Sequence, residues 1–206
     1  MLRAHDKELT PGSIILWAGP KHSGKTSSAE RLVATARGRG FIVAGCLAPS
    51  VYAPAAQRPI GPRVLLGFDL VNLRNGARAP LLRRDLGHPH DRSFYLLADG
   101  VSLGAEALGP AATREADLII VDEYGPWELK SQLWRRATDR LVGATHASPL
   151  RTHAVLLLVV REELVDEILR LYAGSATRKL ASLAPESVEE VLAILENDRR
   201  LSSRPQ

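Results

Sequence analysis

The residues with the clearest chemical meaning are Gly19-Pro20-Lys21-His22-Ser23-Gly24-Lys25-Thr26, which fit the spacing G-x-x-x-x-G-K-[ST]. Glycines at these positions let the backbone curl so that successive N–H groups point inward at phosphate oxygens. The lysine ammonium then reaches the β- and γ-phosphates, and the threonine hydroxyl is placed to ligate Mg²⁺. The ligand this implies is a nucleoside triphosphate, ATP or GTP, with Mg²⁺ as cofactor. Gly19, Pro20, Lys21, His22, Ser23, Gly24, Lys25, Thr26 and Ser27 are the expected nucleotide-binding residues. The positive end of the helix that follows adds to the attraction for phosphate.

A second constellation is Asp122-Glu123, at the end of the apolar run Leu118-Ile119-Ile120-Val121. A strand ending in Asp is how phosphate-loop enzymes hold a carboxylate beside Mg²⁺. Thr26 and Asp122 are therefore the expected metal residues. A carboxylate one position further on can face the γ-phosphate and polarise an attacking water as general base. Lys25 and Glu123 are the expected catalytic pair, and hydrolysis is the reaction they suggest.

These groups need a strand before the loop and a helix after it. Ser13 to Ala18 is a short apolar run that suits a buried strand, and Ser27 to Gly38 has Ala29, Leu32, Val33 and Ala36 at helical spacing. Further along, strands are expected at Phe41–Leu47, Val64–Leu73, Ala77–Leu82, Ser93–Leu97, Asp117–Val121 and Ala154–Val160. Helices are expected at Ser102–Glu115, Leu129–Leu141, Glu162–Tyr172 and Pro185–Asn197, with a loop over 48–62. Asn75-Gly76 between two apolar runs is a strong hairpin signal. Alternating strands and helices imply a three-layer α/β/α fold with a mostly parallel sheet and a β-hairpin insertion. One domain over residues 1–200 is expected, with 201–206 as a disordered tail.

Composition sets the outer limits. The chain has 206 residues, enough for one domain with a substantial core. Nothing approaches the roughly 18 apolar residues a membrane helix needs, so no membrane partner is expected. The first residues lack the apolar core of an export signal. The single cysteine, Cys46, excludes an internal disulfide framework and lies in an apolar strand, where an inert thiol is expected. A cytoplasmic location follows as an expectation. The net charge is +4, no Lys/Arg run exceeds two, and aromatic residues are 5% of the chain. These averages argue against a base-stacking platform and against nucleic acid as a partner.

Other candidates are weaker. Arg161 follows the run 154–160, and strand C-terminal ends face the ligand crevice in open α/β sheets; it is a candidate for sensing the γ-phosphate. Arg135 and Arg136 compete with it, or are solvated or ion-paired arginines. His88, His90 and Asp91 suggest a metal but lack a third spaced cluster, so a polar loop is the expectation. Glu128 fits a helix-capping role, with a water or ribose contact as the alternative.

The stretch Asp122-Glu123-Tyr124-Gly125-Pro126-Trp127-Glu128-Leu129-Lys130-Ser131 resembles the D-E-[IV]-G-x-M-E-L-x-S block of the P-loop nucleoside-triphosphatase family typified by the thermophile nucleotide phosphatase and the human cancer-related nucleoside-triphosphatase. The likeness extends to Gly40-Phe41 and Gly67-Phe68-Asp69-Leu70-Val71. It implies a central sheet flanked by helices and Mg²⁺-dependent hydrolysis of nucleoside 5′-triphosphates to diphosphate and phosphate, with broad base tolerance. Carried over by residue, it implies phosphate and Mg²⁺ roles for Gly19 to Thr26 and Asp122, and catalysis by Glu123. Lys21-His22-Ser23 in the loop, Trp127 in place of Met, and the Ala/Pro-rich 48–66 depart from the family pattern. Two further functions use the same loop: a kinase for a nucleoside, nucleotide or polynucleotide end, and a nucleotide-dependent regulatory switch.

Overall fold

A computed structural model describes residues 13–54, 63–84, 86, 93–130, 132–143, 154–173, 180–184 and 187–202. β1 (Ile14–Gly19) runs straight into the phosphate loop and then α1 (Lys25–Gly38). The helix begins two residues earlier than its apolar spacing suggests, so Lys25 and Thr26 occupy its first turn. β2 (Val43–Leu47), β7 (Leu118–Val121) and β8 (Val155–Arg161) are continuous buried apolar runs, as strands covered on both faces must be.

Among the described residues the strands form one nine-stranded sheet in the order β6-β5-β4-β2-β7-β8-β1-β9, with β3 paired to β4. Here β3 is Ser50–Tyr52, β4 Leu65–Asn72, β5 Arg78–Arg83, β6 Tyr95–Leu96 and β9 Leu180–Leu183. The five strands β2-β7-β8-β1-β9 are parallel, and β3 to β6 extend them as an antiparallel edge. The hairpin signalled by Asn75-Gly76 joins β4 to β5.

Alternation along the strands builds two cores. Ile15, Trp17, Ile120, Leu157 and Val159 face α1 and α7 (Val188–Ser202), meeting Leu32, Val33, Leu192 and Leu195. Ile14, Leu16, Ile119, Val121, Leu156 and Leu158 face the other way. They meet Ala107 and Leu108 around α2 (Ala98–Ala107), Leu141 of α5 (Arg135–Gly143) and Ile168 of α6 (Val165–Tyr172). The expected three layers are present.

Several boundaries differ from the sequence reading, each for a local reason. The helix expected over Ser102–Glu115 starts at Ala98 and breaks after Ala107, where Gly109-Pro110 opens a separate turn, α3 (Pro110–Thr113); proline at a first helical position starts a helix but cannot continue one. The helix expected over Leu129–Leu141 is two, α4 (Pro126–Leu129) and α5, with Leu133 between them at φ 43°. The stretch 48–62, read as loop, contains β3, and β9 is an additional strand. α7 continues through Ser202, two residues into the segment expected to be tail. His88, His90 and Asp91 lie outside the described residues, as do 203–206.

Gly45 is a tight point in the sheet. It sits at φ 97°, and a Cβ there would lie 2.0 Å from the Ile120 carbonyl oxygen on β7. Gly45→Ala is expected to lower stability by roughly 2–4 kcal/mol, through backbone clash and a left-handed φ that alanine disfavours. Gly38→Ala, which meets nothing within 4 Å, should be near neutral. Urea unfolding of the two variants checks this; equal midpoints would refute it.

Candidate active site

The phosphate loop closes on itself. His22 (φ 64°) and Gly24 (φ 83°) take left-handed conformations, which curl the chain between β1 and α1. The Ser23 N–H donates to the Pro20 carbonyl (3.2 Å), and the Ser28 N–H to that of Gly24 (2.9 Å). Lys25 folds back over the loop, its Nζ donating to the carbonyls of Gly19 (2.9 Å) and Pro20 (2.7 Å). Its ammonium is therefore held at the loop's mouth by neutral acceptors, which a phosphate oxygen would outcompete. Lys21, His22 and Ser23 are exposed.

Asp122 follows β7 and is 1% exposed. Its Oδ2 accepts the Ala48 N–H (3.0 Å), and its Oδ1 accepts the Glu123 N–H (2.9 Å). The Thr26 hydroxyl lies close enough to this carboxylate to favour its charged form. The structure thus brings Thr26 and Asp122 together, although the sequence separates them widely. Burial pushes the Asp122 carboxyl up to about 6, and the Glu123 charge adds to the shift; the Ala48 N–H and Thr26 hydroxyl oppose it.

Glu123 is exposed and sits at φ 56°. What fixes it is its neighbours. The Tyr124 N–H donates to the Val159 carbonyl on β8 (3.1 Å). The Tyr124 side chain is 1% exposed, its hydroxyl 2.6 Å from that of Tyr172. Tyr172 donates in turn to Asp139 Oδ1 (3.0 Å), which Arg135 also binds (2.7 Å). Arg135 is thus an ion-paired structural group. Sequence spacing does not reveal Tyr124, because its importance lies in long-range partners on α5 and α6.

Glu128 is buried and caps: its Oε2 accepts the Gly125 N–H (2.9 Å), a reach from the third residue of α4 back to its N-terminus. Burial raises its carboxyl to about 7 against the pull of that N–H. The capping role expected from the sequence is the one present. Trp127 is half-buried. Cys46 is fully buried, its thiol pushed up to about 12 by burial, so it is inert as expected.

Arg161 ends β8 and lies opposite Gly19, the first loop residue, in the β1–β8 register. Its guanidinium is partly exposed, with Glu163 3.9 Å away. The crossover from β1 runs toward β2 and that from β8 toward β9, so the chain reverses direction between β1 and β8. This is the switch point at which open α/β sheets take their ligands. An open groove of about 640 Å³ leads from Ser23 and Gly24 along α1 past Ser27, Ser28, Glu30 and Arg31.

Comparison with known proteins agrees with this arrangement. A family model described as NTPase matches residues 14–194. The nucleoside-triphosphatase THEP1 of Methanopyrus kandleri is 30% identical over 190 residues, covering 90% of this chain and 98% of the relative. That of Pyrococcus abyssi is 29% identical over 182 residues, covering 88% of this chain and 89% of the relative. The crystal structure of THEP1 from the hyperthermophile Aquifex aeolicus superposes with a TM-score of 0.58 at 19% identity, over 89% of this chain and 98% of that one.

The Glu128 carboxyl yields a stability prediction. Its folded value of about 7 exceeds its ordinary 4.5. Its contribution to stability is therefore complete below 4.5 and lost as pH rises through about 7. Glu128→Gln keeps an acceptor for the Gly125 N–H but cannot ionise. Its melting temperature relative to the parent is expected to rise by several degrees between pH of about 5 and about 8. A difference independent of pH would show that folding does not shift the Glu128 carboxyl from its ordinary value.

Proposed function

The chain belongs to the NTPase family, hydrolysing nucleoside triphosphates, and from that premise we propose that it does so with Mg²⁺, using Lys25, Thr26 and Asp122 to hold the triphosphate and metal and Glu123 as general base. The observation that carries this reading is the meeting of Thr26 and Asp122 at the mouth of the phosphate loop, with Glu123 directly after.

A hydroxyl and a carboxylate are hard oxygen donors and fit Mg²⁺. Among the described residues no group of three or more His, Cys, Asp or Glu could hold a metal by itself. That also suits Mg²⁺, which binds through one or two protein oxygens together with substrate phosphates and water. When bound, the ion neutralises charge on the β- and γ-phosphates.

The protein's own groups supply the rest. Backbone N–H groups of residues 20–26 and the Lys25 ammonium hold the phosphates, Lys25 leaving the carbonyls of Gly19 and Pro20 to do so. Glu123 orients a water in line with the γ-phosphorus and takes its proton as the new P–O bond forms. The bond to the β–γ bridging oxygen breaks, releasing diphosphate nucleotide and phosphate. Arg161, opposite Gly19, senses the γ-phosphate. The nucleoside lies along the groove beside α1, which among the described residues is lined by Ser, Gly, Glu, Arg and Ala, with no aromatic ring to select a base. Use of both ATP and GTP follows.

Phosphate release measured with several nucleoside triphosphates and no added acceptor tests hydrolysis; release that requires an acceptor would instead mark a kinase. Excess EDTA should stop it and added Mg²⁺ restore it. Glu123→Gln should bind nucleotide normally and release phosphate about 10²-fold or more slowly. Lys25→Ala should lose both binding and turnover. Arg161→Ala should cut turnover at least about tenfold, with a smaller effect on affinity. Normal turnover in Glu123→Gln would remove it as the base.

A further inference from the structure

The antiparallel extension of the sheet is rich in arginine. Residues 63–84 contain Arg63, Arg74, Arg78, Arg83 and Arg84 against a single acid, Asp69, a local +4 that equals the net charge of the whole protein. Arg78 and Arg83 share Asp69, and Arg74 lies 3.6 Å from Glu115. Among the described residues, the contacts of Arg63 and Arg84 are with aromatic rings. Arg63 stands 5.3 Å from the ring centre of Tyr52, and Arg84 stands 4.3 Å from that of Phe94.

The rings are gathered in the same place. Four of the ten aromatic residues, Tyr52, Phe68, Phe94 and Tyr95, belong to the antiparallel extension or flank it. Phe68 and Phe94 pack with centres 5.7 Å apart and planes tilted by 52°. Phe68 stands opposite Leu82, and Leu82 opposite Leu96, on one face of the sheet. Tyr52, Tyr95 and Leu96 are 38%, 39% and 43% exposed. The extension continues the end of β2 beyond the parallel strands, at the same end of the sheet as the phosphate loop. The Ala48 N–H that binds Asp122 comes two residues before β3.

We propose that the β3–β6 extension binds single-stranded nucleic acid beside the nucleotide site. Exposed rings accept the faces of unpaired bases, and guanidiniums lying over rings at the sheet surface answer the phosphates. Duplex bases are stacked on one another and offer no free faces to Tyr52. An acidic protein segment would use the arginines but gain little from the rings. The average composition argued against this partner, but an average does not record that rings and arginines share one sheet edge.

The test is fluorescence anisotropy of the full chain with labelled oligo(dT) and oligo(U) of about 15 nucleotides, and with a duplex of equal length. Both single strands should bind, the duplex at least about tenfold more weakly, with a log–log salt slope between about −1 and −3. Binding of only one of the two strands still supports the site and shows which of the two it prefers. Tyr52→Ala leaves every charge in place and should weaken single-strand binding about fivefold or more. Arg63→Gln with Arg84→Gln should weaken it further and flatten the salt slope. Circular dichroism and unchanged basal phosphate release would show both variants folded. Absence of binding, equal affinity for duplex, or indifference to Tyr52→Ala would overturn the proposal, the last two by reducing it to general attraction between a cation and a polyanion.

Discussion

One buried carboxylate organises the working end of this molecule. Asp122 is enclosed at the end of β7 and held by the Ala48 N–H, the Glu123 N–H and the Thr26 hydroxyl. Those partners belong to the exit of β2, the turn after β7 and the first turn of α1. A buried ionisable group is tolerated only when its lone pairs are met. Meeting them here requires three separate segments to converge.

The convergence depends on how closely β2 and β7 run. Gly45 allows the Ile120 carbonyl to press against β2 where a side chain would stand. A wider spacing would carry Ala48, three residues further on, away from Asp122. On the other flank, β8 separates β7 from β1, so Asp122 and the phosphate loop face each other across the end of one strand. That strand supplies the Val159 carbonyl that fixes Tyr124, and Arg161 opposite Gly19.

The parts of this structure legible in the sequence are those governed by local rules. The phosphate loop depends on glycine and lysine spacing, the buried strands on continuous apolar runs, the β4–β5 hairpin on Asn75-Gly76, and the cap on Glu128 two residues after Pro126. The strand order was not legible, since nothing local in Val155–Arg161 says that it lies between β1 and β7. Nor was the Tyr124–Tyr172–Asp139–Arg135 chain, which joins the turn after β7 to α6 and α5. The break in the helix expected over Leu129–Leu141 turns on the φ of Leu133, a residue type that gives no warning of it. The short strands β3 and β9 are too brief to show a period.

Glu123 has a left-handed backbone, a region where glycine and asparagine rest more easily than glutamate. The position thus sets two selective pressures against each other. A library of variants sorted only for resistance to heat would enrich glycine or asparagine there. Under the proposed mechanism, one sorted for turnover would return the carboxylate. Under the mechanism proposed above, the chemistry asked of Glu123 is met at some expense to the fold that carries it.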